Sequence, residues 1–147
     1  MTSHVMQEMQ RFNNLLGEID AAYHEASQKL GLTDSAMQVL YVLCNDGGES
    51  LLSRICGISG ASKQTINSAL RGLEKEDCIR LETLPGRRKK VCLTQRGREL
   101  AERTALRLIG VENTVFGGWT QEERETYLAL TQRYLTDFRA RMKEHLG

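Results

Sequence analysis

The sequence predicts a mainly α-helical protein carrying one small β-hairpin, and three observations support that prediction. Apolar residues recur at helical spacing through both ends of the chain. In the middle, the alternating stretch "IRLETL" at 79–84 runs into the only proline and a glycine, and a second short apolar stretch follows. The composition agrees: 147 residues with one proline, 27% charged and 5% aromatic suit a helical chain that buries a core, not a disordered one. One domain over 1–147 is expected.

The first element is a long helix. Val5, Met9, Phe12, Leu16, Ile19, Tyr23, Ala26 and Leu30 alternate spacings of four and three, a seven-residue repeat. Such a seam implies packing along its whole length, against a helix of a second subunit or against elements of its own chain. Gly31 ends the helix and Thr33 is placed to cap the next. Met37, Leu40, Tyr41 and Cys44 then make one core-facing stripe, and "NDGGE" at 45–49 reads as a turn. "LLSRICGIS" from 51 reads as a short apolar helix, broken by "SGA" at 59–61. Ser62 can cap a fourth helix running to about Glu76.

That fourth helix has two faces. Ile66, Leu70 and Leu73 line one, while Gln64, Asn67, Ser68 and Arg71 line the other at i, i+3, i+4 and i+7. Short amides, a hydroxyl and a guanidinium are the groups that hydrogen-bond base edges in a major groove. An ordinary solvated face would also carry such residues.

"IRLETL" then reads as a strand. Leu84-Pro85-Gly86-Arg87 places Pro and Gly at the centre of a type II turn, and "RRKKVCLT" returns as a second strand with Val91 and Leu93 on one face. Because a type II turn fits strand twist less well than the primed types, a longer tip is the alternative. Two further helices are expected. One runs from about Thr94 to Val115 with Leu100, Thr104, Leu108 and Val111 inward. "FGGW" follows it, and a T-x-x-E capping box, Thr120 to Glu123, opens the last helix. Leu128, Leu135, Phe138 and Met142 form the stripe of that helix, with Tyr127 and Tyr134 beside it.

The order therefore gives a winged helix-turn-helix over 33–93, flanked by long helices over 1–31 and 94–147. The net charge of +1 conceals an uneven distribution. Residues 80–92 carry five basic side chains against one acidic, while residues 1–79 carry six against ten. Arg87, Arg88, Lys89 and Lys90 sit side by side on the hairpin, next to the helix whose counterpart in such motifs enters the major groove. A cationic hairpin in that place is an electrostatic grip on a polyanion, in which phosphate contacts position and base contacts specify.

Other function classes find little support. His4, His24 and His145 are scattered, and no nucleophile-elbow, zincin or phosphate-loop pattern occurs, so no enzyme is expected. Cys44, Cys56, Cys78 and Cys92 lack metal-ligand spacing, so neither a metal nor another cofactor is expected. No apolar run approaches bilayer length and the start lacks a signal pattern, which predicts a cytoplasmic protein with no membrane partner. Cys92 alternates with Val91 and Leu93 and is expected to face outward near cations that would favour its thiolate. That makes it the candidate residue for a redox-sensing alternative. A winged-helix module that binds only protein is the other alternative, although protein interfaces usually carry larger apolar anchors than this helix shows.

In their order and spacing, "LTDSAMQVLYVL", "SGASKQTINSALRGLEKEDCIRLE" and "RRKKVCLTQRG" resemble the MarR family of winged helix-turn-helix transcriptional regulators. "RGLEKEDCI" is similar to the family's L-E-K-x-G-L-I run, and "LTQRG" to its L-T-x-x-G. The resemblance implies a homodimer joined by its first and last helices, with Phe12, Leu16, Ile19, Leu135, Phe138 and Met142 at the interface. It implies binding of double-stranded DNA at a palindromic or near-palindromic operator, usually as a repressor released by a small-molecule effector or by oxidation. It puts Ser62, Lys63, Gln64, Asn67, Ser68 and Arg71 on the DNA-reading helix and Arg87 to Lys90 on the wing. Tyr23, Tyr41, Phe116 and Trp119 become candidate lining residues of an effector pocket. Two residues depart from the family pattern: Pro85 stands where the wing's D-x-R motif has aspartate, and Asp77 replaces a customary glycine. If that position needs a positive φ, aspartate tolerates it better than most residues.

Overall fold

The computed structural model describes residues 3–58 and 60–147. The elements are α1 (Ser3–Lys29), α2 (Asp34–Asn45), β1 (Glu49–Leu51), α3 (Leu52–Ile58), α4 (Lys63–Lys75), β2 (Ile79–Thr83), β3 (Lys89–Leu93), α5 (Gln95–Arg103), α6 (Ala105–Gly117) and α7 (Gln121–Leu146). They fall into two compact units, one extending to Ile109 and the other Gly110–Gly147. Of the helix break expected at 59–61, Ser59 lies outside the described residues.

The helix starts follow local chemistry. Thr33 accepts a hydrogen bond from the Ala36 amide, and Ser62 accepts one from Thr65, each at 3.1 Å. These side chains satisfy amides that the first helical turn leaves without partners. Gly31 leaves α1 at φ 76°, a left-handed conformation that glycine adopts without penalty.

The core of the first unit is assembled from α2, α3, α4 and the sheet. Leu40, Leu43, Ile55, Ile66, Ile79 and Val91 are fully buried. Each such side chain contributes about 1.5–3 kcal/mol relative to solvent exposure. The sheet is antiparallel in the order β1-β3-β2, with Glu82 opposite Lys90, Leu81 opposite Val91 and Arg80 opposite Cys92.

Three details differ from the sequence expectation, the first being Val111, expected inward and found 61% exposed. The turn cluster at 45–49 runs directly into a strand, β1, which pairs with β3 through Ser50 and Val91. Three residues are too few to show an alternating pattern. The helix expected from Thr94 to Val115 is broken at Thr104, whose φ and ψ are −128° and −91°. Thr104 points inward as expected, but its hydroxyl donates to the Leu100 carbonyl at 2.7 Å, a side-chain bond that competes with the helical ladder. At the hairpin tip the longer form, the alternative to a two-residue turn, is the one found. The Leu84 amide donates to the Arg88 carbonyl at 2.7 Å across Pro85, Gly86 and Arg87. Gly86 (φ 79°) and Arg87 (φ 63°) both occupy the left-handed region.

In the second unit, Thr120 and Glu123 form the expected capping box at the start of α7. Phe116, Trp119 and Tyr127 pack ring against ring, and Arg124 donates to the carbonyls of Phe116 and Trp119.

Candidate nucleic-acid interface

Helix α4 separates its two faces cleanly. Ile66, Leu70 and Leu73 are buried, whereas Gln64, Ser68 and Arg71 are exposed and Asn67 is half-buried. Core packing on one side therefore forces the polar stripe outward. Lys75, four residues beyond Arg71, continues that stripe and is exposed. Its signal in the sequence is the i+4 spacing from Arg71, one step past the four residues the pattern singled out.

The wing comes close to the start of α4. Lys63, Arg87, Arg88 and Lys89 line one open cleft of about 520 Å³, together with Ser53 and Cys56 of α3. Residues far apart in sequence thus form one cationic surface at the start of α4. Lys89 also donates to the Thr83 hydroxyl at 2.8 Å, which braces its side chain across the hairpin. Among the described residues no carboxylate lies within ion-pair distance of Arg87, Arg88 or Lys89.

Lys90 behaves differently from its three neighbours. Its ammonium lies 3.4 Å from Glu49 and 3.5 Å from Glu82, and Glu82 also meets Arg80 at 3.2 Å. Glu49 first, and Glu82 after it, hold the lysine pKa above its ordinary value, so Lys90 stays charged.

Cys92 shares the outer face of the sheet with these groups, opposite to Val91 and Leu93. The expected exposure is wrong, however: neighbouring side chains cover it to 4% accessibility. Burial, and after it the Glu82 charge, push the thiol pKa up; Lys90 opposes this but does not prevail. Sequence alternation gave the correct face but could not show that Glu49 folds over from β1, its carboxylate 3.9 Å from Sγ.

Two contacts without a sequence signal brace the surroundings. Arg54 of α3 reaches Asp46, at the end of α2, with Nε at 2.7 Å and Nη2 at 3.0 Å, and Ser50 donates to the same carboxylate at 2.7 Å. His24 of α1 lies 2.7 Å from Asp34 at the start of α2. Neither pair is legible in the chain, because the partners lie 8 to 10 residues apart across turns.

The remaining candidates divide. Phe116 and Trp119 are in ring contact, with centroids 5.0 Å apart. Tyr41 packs against the core of the first unit, and Tyr23 is exposed on α1. Phe12, Leu16 and Ile19 on α1 are each at least a third exposed, as are Leu135, Phe138 and Met142 on α7. Among the described residues, no His, Cys, Asp and Glu side chains are grouped so as to hold a metal ion. Among the same residues, no helix is long and apolar enough to cross a membrane.

At the level of sequence, no family model and no curated protein matches the chain. Solved structures do. A MarR-family transcriptional regulator from Silicibacter pomeroyi is similar at 25% identity and a TM-score of 0.68, covering 86% of each chain. NMB1585, a MarR-family regulator from Neisseria meningitidis, superposes with a TM-score of 0.79 at 17% identity, over 95% of this chain and 99% of that one. Sco3205, a MarR-family regulator from Streptomyces coelicolor solved in complex with DNA, matches at a TM-score of 0.71 and 18% identity, over 93% and 88% of the two chains.

Proposed function

For a chain that carries the fold of the MarR-family transcriptional regulators, we propose sequence-specific binding of double-stranded DNA as its function. One observation carries this reading: Lys63, at the start of the helix that bears the polar stripe, lines one cleft with three wing cations that, among the described residues, have no acidic partner. Gln64, Asn67, Ser68 and Arg71 read base edges, and Ser62 and Lys63 meet the backbone where the helix begins. Arg87, Arg88 and Lys89 hold phosphates or reach the adjacent minor groove.

The binding unit is a homodimer. The exposed apolar stripes of α1 and α7, including Phe12, Leu16, Ile19, Leu135, Phe138 and Met142, are the surfaces that a second copy covers. A two-fold dimer reads a palindromic site, with half-sites spaced by whole helical turns. The regulator acts as a repressor in the cytoplasm, and a small molecule releases it. The burial and raised pKa of Cys92 disfavour a redox trigger at that residue.

Repeated selection of bound duplexes from a randomised pool tests this function. An enriched inverted repeat is the expected result. A pool that stays random through successive rounds would overturn sequence-specific reading.

A further inference from the structure

In the linear sequence Lys90 is the last of four consecutive cations. Folding separates it from the other three. Strand residues alternate between faces, and Lys90 is not among the residues that line the cleft shared by Lys63, Arg87, Arg88 and Lys89. It lies on the central strand, opposite Leu51 of β1 and Glu82 of β2. Its ammonium bridges Glu49 and Glu82 at 3.4 and 3.5 Å, and Glu82 also takes Arg80 at 3.2 Å. Two cations thus meet two carboxylates, and the patch has no net charge.

The side chain of Lys90 is 26% exposed, whereas Arg87, Arg88 and Lys89 stand in solvent. A single exposed ion pair is weak. Here, though, one ammonium ties β3 to the strands on both of its sides, immediately after the exposed tip cations end. We propose that Lys90 is a positioning residue of the wing: it fixes the sheet on which Arg87, Arg88 and Lys89 are carried, and it touches no phosphate. The part of this inference that concerns phosphate rests on the DNA-binding reading. The part that concerns the sheet does not.

The test compares Lys90→Gln, Lys90→Arg, Glu49→Gln and Lys89→Gln with the unaltered chain. Affinity for a random-sequence duplex is titrated with salt, and amide hydrogen exchange is followed across residues 84–90. Lys90→Gln is expected to lower affinity by up to about tenfold, the equivalent of two weak pairs, with its salt slope unchanged. Lys90→Arg restores affinity. Lys89→Gln flattens the slope by roughly 0.9 for each phosphate that is no longer neutralised.

Glu49→Gln removes no cation, yet it is expected to weaken binding and to speed exchange of the wing amides, as Lys90→Gln does. A slope that falls in Lys90→Gln as it does in Lys89→Gln would overturn the proposal. So would tighter binding by Glu49→Gln with wing exchange unchanged, because a freed Lys90 would then be reaching DNA. If no duplex binds even at low salt, the DNA-binding reading fails, and the exchange comparison alone still supports or overturns the role of Lys90 in the sheet.

Discussion

Gly97 lies so close to Cys78 that a Cβ added to the glycine would stand 1.8 Å from the Cys78 carbonyl oxygen. That carbonyl also accepts the Thr94 amide at 3.0 Å, and the Thr94 hydroxyl donates to the Asp77 carbonyl at 2.6 Å. The first turn of α5 is thereby locked against the start of β2, with no room for a methyl group. Gly97→Ala is expected to destabilise the protein by at least about 2 kcal/mol, the scale of overpacking that backbone cannot relieve. Urea unfolding measures this, and a midpoint equal to that of the parent would contradict the close approach.

Asp77 holds φ at 61°, where glycine is free and aspartate is strained. Its amide and carbonyl are bonded to Glu74 and Thr94, so the conformation is fixed from both sides. Asp77→Gly relieves the strain at some cost in unfolded-state entropy. A net stabilisation of about 0.5–1 kcal/mol is expected from the same urea measurement. A loss of stability would show that the aspartate side chain contributes more than its backbone strain costs.

Arg54, and after it Ser50, hold the Asp46 carboxyl below its usual pKa of 3.8. A carboxyl with a lowered folded-state pKa stabilises the fold fully above its unfolded value, and this contribution is lost as pH falls through the folded value. Asp46→Asn is therefore expected to melt below the parent at neutral pH, with the gap closing below about pH 4. Thermal melts across that range check the sign. A gap that widens in acid would contradict the assignment.

Much of the fold is legible in the sequence, and the reasons are local. Thr33, Ser62 and Thr120 announce helix starts because a cap acts within three residues of itself. The buried stripe of α4 follows from spacing alone. The break at Thr104 is hidden because a threonine at a core position looks the same whether its hydroxyl bonds a ladder carbonyl or not. Strand β1 is hidden because its pairing partner lies some forty residues away. The same long-range pairing brings Glu49 to Lys90 and buries Cys92, so the grouping of four cations dissolves only in three dimensions.

Arg71 stands exposed on the polar stripe, with a guanidinium suited to a bidentate contact with guanine. Arg71→Ala is expected to cost about 1–3 kcal/mol on a selected site and to relax preference at one base position. Lys75→Ala should instead weaken all sequences alike. Equal losses on selected and random duplexes in both variants would make Arg71 a phosphate contact.

DNA recognition by this chain is open to one decisive titration: fluorescence anisotropy with the DNA upstream of its own gene and with a random duplex of equal length, each across a range of salt. Binding to both is predicted, with a clear preference for the upstream DNA. Affinity should fall steeply with salt, and that fall should flatten when Arg87, Arg88 and Lys89 are replaced together. An absence of binding to either duplex at low salt would contradict the DNA-binding function.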